Sequence, residues 1–183
     1  MKVAQMELPE VLMVDPPVHG DSRGFFYEAF QARRYAEAGI TGPFVQDNLS
    51  RSVRGTLRGL HFQEPRGQGK LVQVLRGTVW DVAVDVRRGS PRFGRWVGME
   101  LSEATPRQLW IPAGFAHGFC VLSESADFFY KCTELYAAEC DRSIAWNDPA
   151  IGITWPLKEP LLSAKDRAAP RLAEAPVLPV FTR

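Results

Sequence analysis

Apolar and polar positions alternate over Thr78 to Val86. Trp80, Val82, Val84 and Val86 fall on one face, and Asp81, Ala83 and Asp85 fall on the other. Successive strand side chains point to opposite faces, so this period of two predicts a β-strand. Lys70 to Leu75, Arg95 to Leu101, Gln108 to Ile111, Gly118 to Leu122 and Ala126 to Cys132 read as further short strands. Glycines and prolines (15 and 14) are spread through the chain and cut it into such segments. Short strands bounded by turn residues predict a mainly β fold, a sandwich or barrel. Helix is scarce. Gln31 to Ala38 predicts one short helix stopped by Gly39, since glycine suits the C-terminal cap. Ser163 to Ala168 predicts another, with Ser163 as N-cap, Asp166 at the third helical position and Pro170 limiting its continuation.

Composition narrows the function classes. The 183 residues suit a single domain spanning 1–183, with 45% hydrophobic and 23% charged residues, ordinary for a soluble globular chain. A formal net charge of +1 gives no general attraction to nucleic acid or membrane, so any anionic ligand must be held by a local basic cluster. Met1 to Val11 is broken by Lys2, Gln5, Glu7 and Pro9 and lacks a signal peptide's apolar core. No segment approaches the roughly 20 apolar residues of a membrane span. Cys120, Cys132 and Cys140 are odd in number and unpaired by motif, which fits reduced thiols in a cytoplasm.

Candidate chemistry starts with three histidines. His19 sits in a Pro- and Gly-rich stretch that reads as an exposed loop. His61 lies in the strand-like run Leu57-Arg58-Gly59-Leu60-His61-Phe62-Gln63, where it reads first as a core or barrel-lining residue. His117 lies between a turn and a strand, a setting that suits a barrel mouth. Strict alternation puts Arg58 and His61 on opposite faces, and a bulge at Gly59 is what would turn both toward one cavity. A catalytic metal generally needs three protein ligands. Here His61-Phe62-Gln63 lacks the second histidine of a His-x-His pair, and Glu64 and His117 complete only a weak set. Gly67-Gln68-Gly69-Lys70 lacks the spacing of a phosphate-binding loop, and no Gly-x-Ser-x-Gly supports a serine hydrolase.

Taken together, the motifs resemble the dTDP-4-dehydrorhamnose 3,5-epimerase family. The matching stretches include Asp21 to Glu28, Phe44 to Asn48, Leu57 to Gln63, Gly69 to Val72 and Gly77 to Asp85. They continue through Gln108 to Phe119, Phe129-Tyr130-Lys131, Trp146 to Pro149, Ile151 to Pro156 and Leu162 to Asp166. The resemblance implies a cupin-like antiparallel β-barrel or jelly roll with short peripheral helices. It also implies a homodimer that exchanges its N-terminal strands, a dTDP-linked 4-keto-6-deoxy sugar as substrate, and catalysis without metal or other cofactor.

The same resemblance assigns roles. His61 is the base, Asp166 its orienting carboxylate, Tyr130 the acid on the opposite face, Lys70 the cation at the enolate, and Asp81 the residue that positions that ammonium. Arg23, Glu28, Gln46, Asp47, Asn48, Arg58, His117, Asp141 and Lys165 match ligand-contacting positions. Arg58 and His117 are directed at the diphosphate, and Arg23 and Glu28 at the neighbouring subunit's site. Phe25, Phe26 and Tyr27 are the candidates for stacking on thymine. On the residues alone, Asp166 reads as a helix cap, Tyr130 as an edge aromatic and Lys70 as a loop-end charge. One departure stands out. Asp141-Arg142-Ser143-Ile144 replaces the family's Glu-Gly-Ser-Ile, giving a shorter carboxylate and a bulky cation in place of glycine.

Overall fold

The computed structural model describes residues 1–182. The chain begins with β1 (Lys2–Gln5), β2 (Leu12–Asp15), the ribbon β3 (His19–Asp21) and β4 (Gly24–Phe26), and helix α1 (Ala32–Glu37). Long strands follow: β5 (Gln46–Val53), β6 (Leu57–Gln63), β7 (Lys70–Arg76), β8 (Thr78–Asp85) and β9 (Trp96–Ser102). Then come β10 (Gln108–Ile111), β11 (Phe115–Val121), β12 (Ser125–Cys132), β13 (Asp141–Ser143) and helix α2 (Ala164–Arg167). A six-stranded sheet in the order β1-β2-β10-β7-β12-β5 faces a five-stranded sheet in the order β13-β6-β11-β8-β9. Every paired ladder is antiparallel, which gives the cupin-like barrel.

Burial follows the alternation in β8. Val79 and Ala83 join the core between the sheets, with Val72, Leu109, Phe119 and Phe128. Trp80, Val82 and Val84 face outward and pack under Ile144, Ile151 and Leu172 from the C-terminal segment. A third cluster, with Tyr35, Ile40 and Trp110, seats α1 against the outside of the larger sheet. Both faces of β8 are therefore covered.

Gln31 caps α1 through its side chain, which accepts from the Arg34 N–H, and Gly39 just beyond the helix takes a φ of 86°. Ser163 caps α2 by accepting from the Asp166 N–H at 3.0 Å. Two placements differ from expectation. His19 lies in strand β3, although exposed, because the Gly20 region pairs with Phe25 rather than looping. β11 starts at Phe115, three residues before the expected Gly118, because the Gly114 turn at φ 89° lets the chain re-enter the ladder at once.

Candidate active site

Between the sheets, a cavity of about 450 Å³ opens where apolar core gives way to polar side chains: Arg58, His61, Lys70, His117, Tyr130 and Asp166 line it. A second cavity of about 250 Å³ is lined by Gln46, Asn48, Tyr136, Asp141 and Lys165 among others. His61, Lys70 and Tyr130 line both. The two lobes meet at these three side chains.

The bulge that brings Arg58 and His61 to one cavity is present in β6. His117 pairs with His61 and Phe119 with Arg58, so Gly118 alone opposes Gly59 and Leu60. Gly59 has a φ of 141°, and a Cβ there would lie 2.5 Å from the Gly118 Cα. Glycine is required at this crossing because no side chain fits between the backbones.

Two imidazole–carboxylate pairs face this region. His61 Nε2 lies 2.5 Å from Asp166 Oδ1, joining residues 105 apart in sequence. Capping and pairing coexist at Asp166: its backbone N–H closes the Ser163 cap while its carboxylate meets the imidazole. Burial pushes the Asp166 carboxyl up, yet the His61 hydrogen bond and charge, Ser163 and Lys165 outweigh it and hold the group below 3.8.

His117 Nε2 lies 2.9 Å from Asp81 Oδ2. Asp81, assigned to position the Lys70 ammonium, makes its hydrogen bond to His117 and acts on Lys70 through charge alone. On β8 and β11, Asp81 pairs with Phe119 and His117 with Ala83, so all four side chains share the barrel-facing side and His117 is the near diagonal neighbour of Asp81. Lys70 comes instead from β7 in the opposite sheet. Its Nζ reaches the His61 carbonyl oxygen at 3.5 Å. Burial holds the Lys70 ammonium below the ordinary lysine value, against the pull of Cys132, Asp141 and Asp81. Burial also raises the Asp81 carboxyl, with His117 and Lys70 acting the other way. The Tyr130 phenol is pushed above 10.0, chiefly by burial.

In the second lobe, Gln46 and Asn48 point inward from β5 and are joined by a 3.0 Å hydrogen bond. Lys165 of α2 pairs with Asp141 of β13, and the Tyr136 hydroxyl donates to the same Asp141 at 3.2 Å. Tyr136 has no mark in the sequence. It sits in an irregular segment between β12 and β13 and carries no periodic signal. Arg142 donates to the carbonyls of Glu139 and Asp141 at the chain surface.

Three of the assigned residues lie outside these cavities, two of them, Arg23 and Glu28, assigned to a neighbouring subunit's site. Asp47 is on the outer face of β5, paired with Lys131 at 2.8 Å. Arg23, in the β3–β4 turn, pairs with Asp21 at 2.5 Å, and Glu28 pairs with Arg34 of α1 at 2.8 Å. None of them lines either cavity of this chain. Phe25 and Phe26 on the same ribbon are 70% and 69% exposed, and Phe25 stacks on Tyr27 with ring centroids 6.0 Å apart.

The model of the dTDP-4-dehydrorhamnose 3,5-epimerase family matches residues 5–174. A dTDP-4-dehydrorhamnose 3,5-epimerase of Pseudomonas aeruginosa is 55% identical over 181 residues, covering 98% of this chain and 100% of that one. A solved dTDP-6-deoxy-D-glucose-3,5-epimerase of Legionella pneumophila, in complex with dTDP-4-keto-L-rhamnose, is 54% identical. It superimposes with a TM-score of 0.97, covering 100% of this chain and 99% of that one. A dTDP-4-dehydrorhamnose 3-epimerase of Streptomyces niveus is 39% identical over 177 residues, covering 96% of this chain and 86% of that one. With a family match over nearly its whole length and relatives above half identity, the chain belongs to the dTDP-4-dehydrorhamnose 3,5-epimerase family.

Proposed function

We propose that this protein inverts C3 and C5 of dTDP-4-dehydro-6-deoxy-D-glucose, giving dTDP-4-dehydro-L-rhamnose. The observation that carries the proposal is the meeting of His61, Lys70 and Tyr130 at the junction of two cavities, with Asp166 on the imidazole. The C4 ketone acidifies the hydrogens on C3 and C5, because the carbanion left behind delocalises onto the ketone oxygen. Inversion then needs a base on one face, an acid on the other and a cation at the developing oxyanion.

His61 takes the proton, and Asp166 fixes its ring and stabilises the imidazolium that forms. Tyr130 returns a proton from the opposite face, and its raised value keeps the phenol protonated as a donor. Lys70 faces the enolate oxygen. These side chains supply base, acid and positive charge, so the assigned chemistry needs no metal or other cofactor. Arg58 and His117 hold the diphosphate, while Gln46, Asn48, Asp141 and Lys165 line the lobe assigned to the rest of the substrate. Tyr136, exposed at that lobe, joins Phe25, Phe26 and Tyr27 as a stacking surface for thymine.

The working unit is a homodimer of one-domain chains. Phe25 and Phe26 on the ribbon and Leu49 and Val53 on β5 are exposed apolar side chains suited to a partner. Arg23 and Glu28 reach the partner's site from that ribbon, and Asp47 lies on the same outer side. Three buried free cysteines fit a cytoplasmic location.

Incubation with the substrate in heavy water tests the function. Deuterium at both C3 and C5 is expected. Exchange at neither carbon removes the proposal, and exchange at one carbon reassigns the protein to a single-position epimerase.

A further inference from the structure

Asp81 has a role that the epimerisation scheme leaves open. It is 0% exposed, and its Oδ2 accepts one hydrogen bond, from His117 Nε2, while Oδ1 has no partner among the described residues. Burying a carboxylate this deeply is costly unless a cation compensates it. Phe128 and Phe119, stacked on each other at 4.0 Å, lie beside the imidazole with ring centroids 5.8 Å and 6.4 Å away. The hydrogen bond to Asp81 orients the ring, and His117 still lines the larger cavity. With Nε2 committed to Asp81, Nδ1 is the remaining polar atom of the ring, and among the described residues nothing bonds to it.

A neutral imidazole that donates through Nε2 presents a lone pair at Nδ1. A phosphate oxygen also presents lone pairs, so the two repel. One added proton makes Nδ1 a donor and places the imidazolium between two anions, the arrangement that most favours its charged form. We propose that Asp81 is a positioning residue that acts through His117, holding the ring so that docking of the ligand's diphosphate is coupled to uptake of a proton at Nδ1. The proton comes from solvent, and no bond of the ligand is broken.

This rests on the diphosphate placement given above. The other charged or titratable groups lining the cavity with the imidazole are His61 and Arg58 of the adjoining β6, Lys70 of β7, Tyr130 of β12 and Asp166 of α2, whose carboxylate is engaged by His61. Arg58 and Lys70 oppose a further cation, and the ligand's negative charge offsets them. Asp81, bonded on the far side, makes that uptake possible at all.

Titration calorimetry of the intact protein with dTDP, in two buffers of different ionisation enthalpy at pH 8, reads the coupling. Net uptake approaching one proton per site is expected from linkage. Asp81→Asn and His117→Gln are each expected to abolish the uptake and to weaken dTDP binding by about tenfold, the scale of one charge-assisted hydrogen bond. The double variant should be no weaker than either single one. Binding without proton uptake in the parent overturns the proposal, as do effects of the two substitutions that simply add. Inorganic pyrophosphate is the second probe. If the parent ignores dTDP but takes up a proton with pyrophosphate, the substrate assignment fails and the pair stands. If neither anion draws a proton, the pair fails. His117→Gln keeps the test decisive should Asp81→Asn not fold.

Discussion

The barrel holds two imidazole–carboxylate pairs on neighbouring strands, and they are built in opposite ways. His61 is 30% exposed at the side chain and draws its carboxylate from α2, beyond the barrel strands. His117 is 8% exposed at the side chain and draws its carboxylate from the adjoining strand β8, where Asp81 sees no solvent. The first pair opens into both cavities through His61. The second is buried beside the stacked rings of Phe119 and Phe128. A base that trades protons with a substrate needs access, whereas a group that holds charge needs enclosure. On the roles proposed for them, the same two residue types take different work from their surroundings.

The largest expected effect separates the pairs at the open one. His61→Asn is predicted to lower turnover by about 10³-fold or more, the upper part of the range for a general base, with the fold intact by circular dichroism. Asp166→Asn keeps the imidazole but loses its orienting charge, and about 10- to 10²-fold is expected from the same source. Near-normal turnover in His61→Asn removes the distinction drawn here.

A pH profile sharpens the contrast with the residues between the pairs. Lys70 is held below the usual 10.5, so it loses its charge earlier on the alkaline side than an ordinary lysine. Tyr130, raised above 10.0, keeps its proton longer than an ordinary phenol. The alkaline fall of kcat/KM is accordingly expected to follow Lys70, beginning below 10.5. Lys70→Arg, whose charge persists past this range, should move the fall to higher pH even where the rate is lower. An unmoved limb in that variant assigns the fall to another group.

The smallest effect is expected outside the cavity. Lys131–Asp47 is a half-exposed ion pair on the sheet's outer face. Asp47→Ala should change stability by about 0.5 kcal/mol, as for other surface pairs, and turnover less than about twofold. A large loss of turnover, measured at fixed protein concentration, would bring Asp47 into a site completed by a second protomer.

The strands legible in the sequence are those with one apolar face. β7, β10 and β12 carry Val72, Leu109 and Phe128 toward the core between the sheets, and β8 carries Val82 and Val84 on its outer, covered face. β5 was not legible, because it reads Gln-Asp-Asn-Leu-Ser-Arg-Ser-Val and turns Gln46, Asn48, Ser50 and Ser52 inward. That face borders the cavities, so it is polar where a core strand is apolar. The bulge at Gly59 was legible as a condition, since only a register shift puts Arg58 and His61 on one side. The partner of Asp81 was not legible. Whether a carboxylate bonds across its own sheet or across the barrel depends on register between β8 and β11, which no local pattern carries. Tyr136 escaped for a related reason, as its place is set by Asp141 and Gln46 rather than by periodicity.

The division of labour between His61 and Tyr130 can be measured directly by following hydrogen exchange and inversion separately in heavy water. Tyr130→Phe is predicted to keep washing substrate hydrogen into solvent while yielding little inverted sugar, because the base still works and the opposite donor is gone. His61→Asn is predicted to lose both. Continued exchange in His61→Asn, with exchange abolished in Tyr130→Phe, would contradict the placement of base and acid on which the account stands.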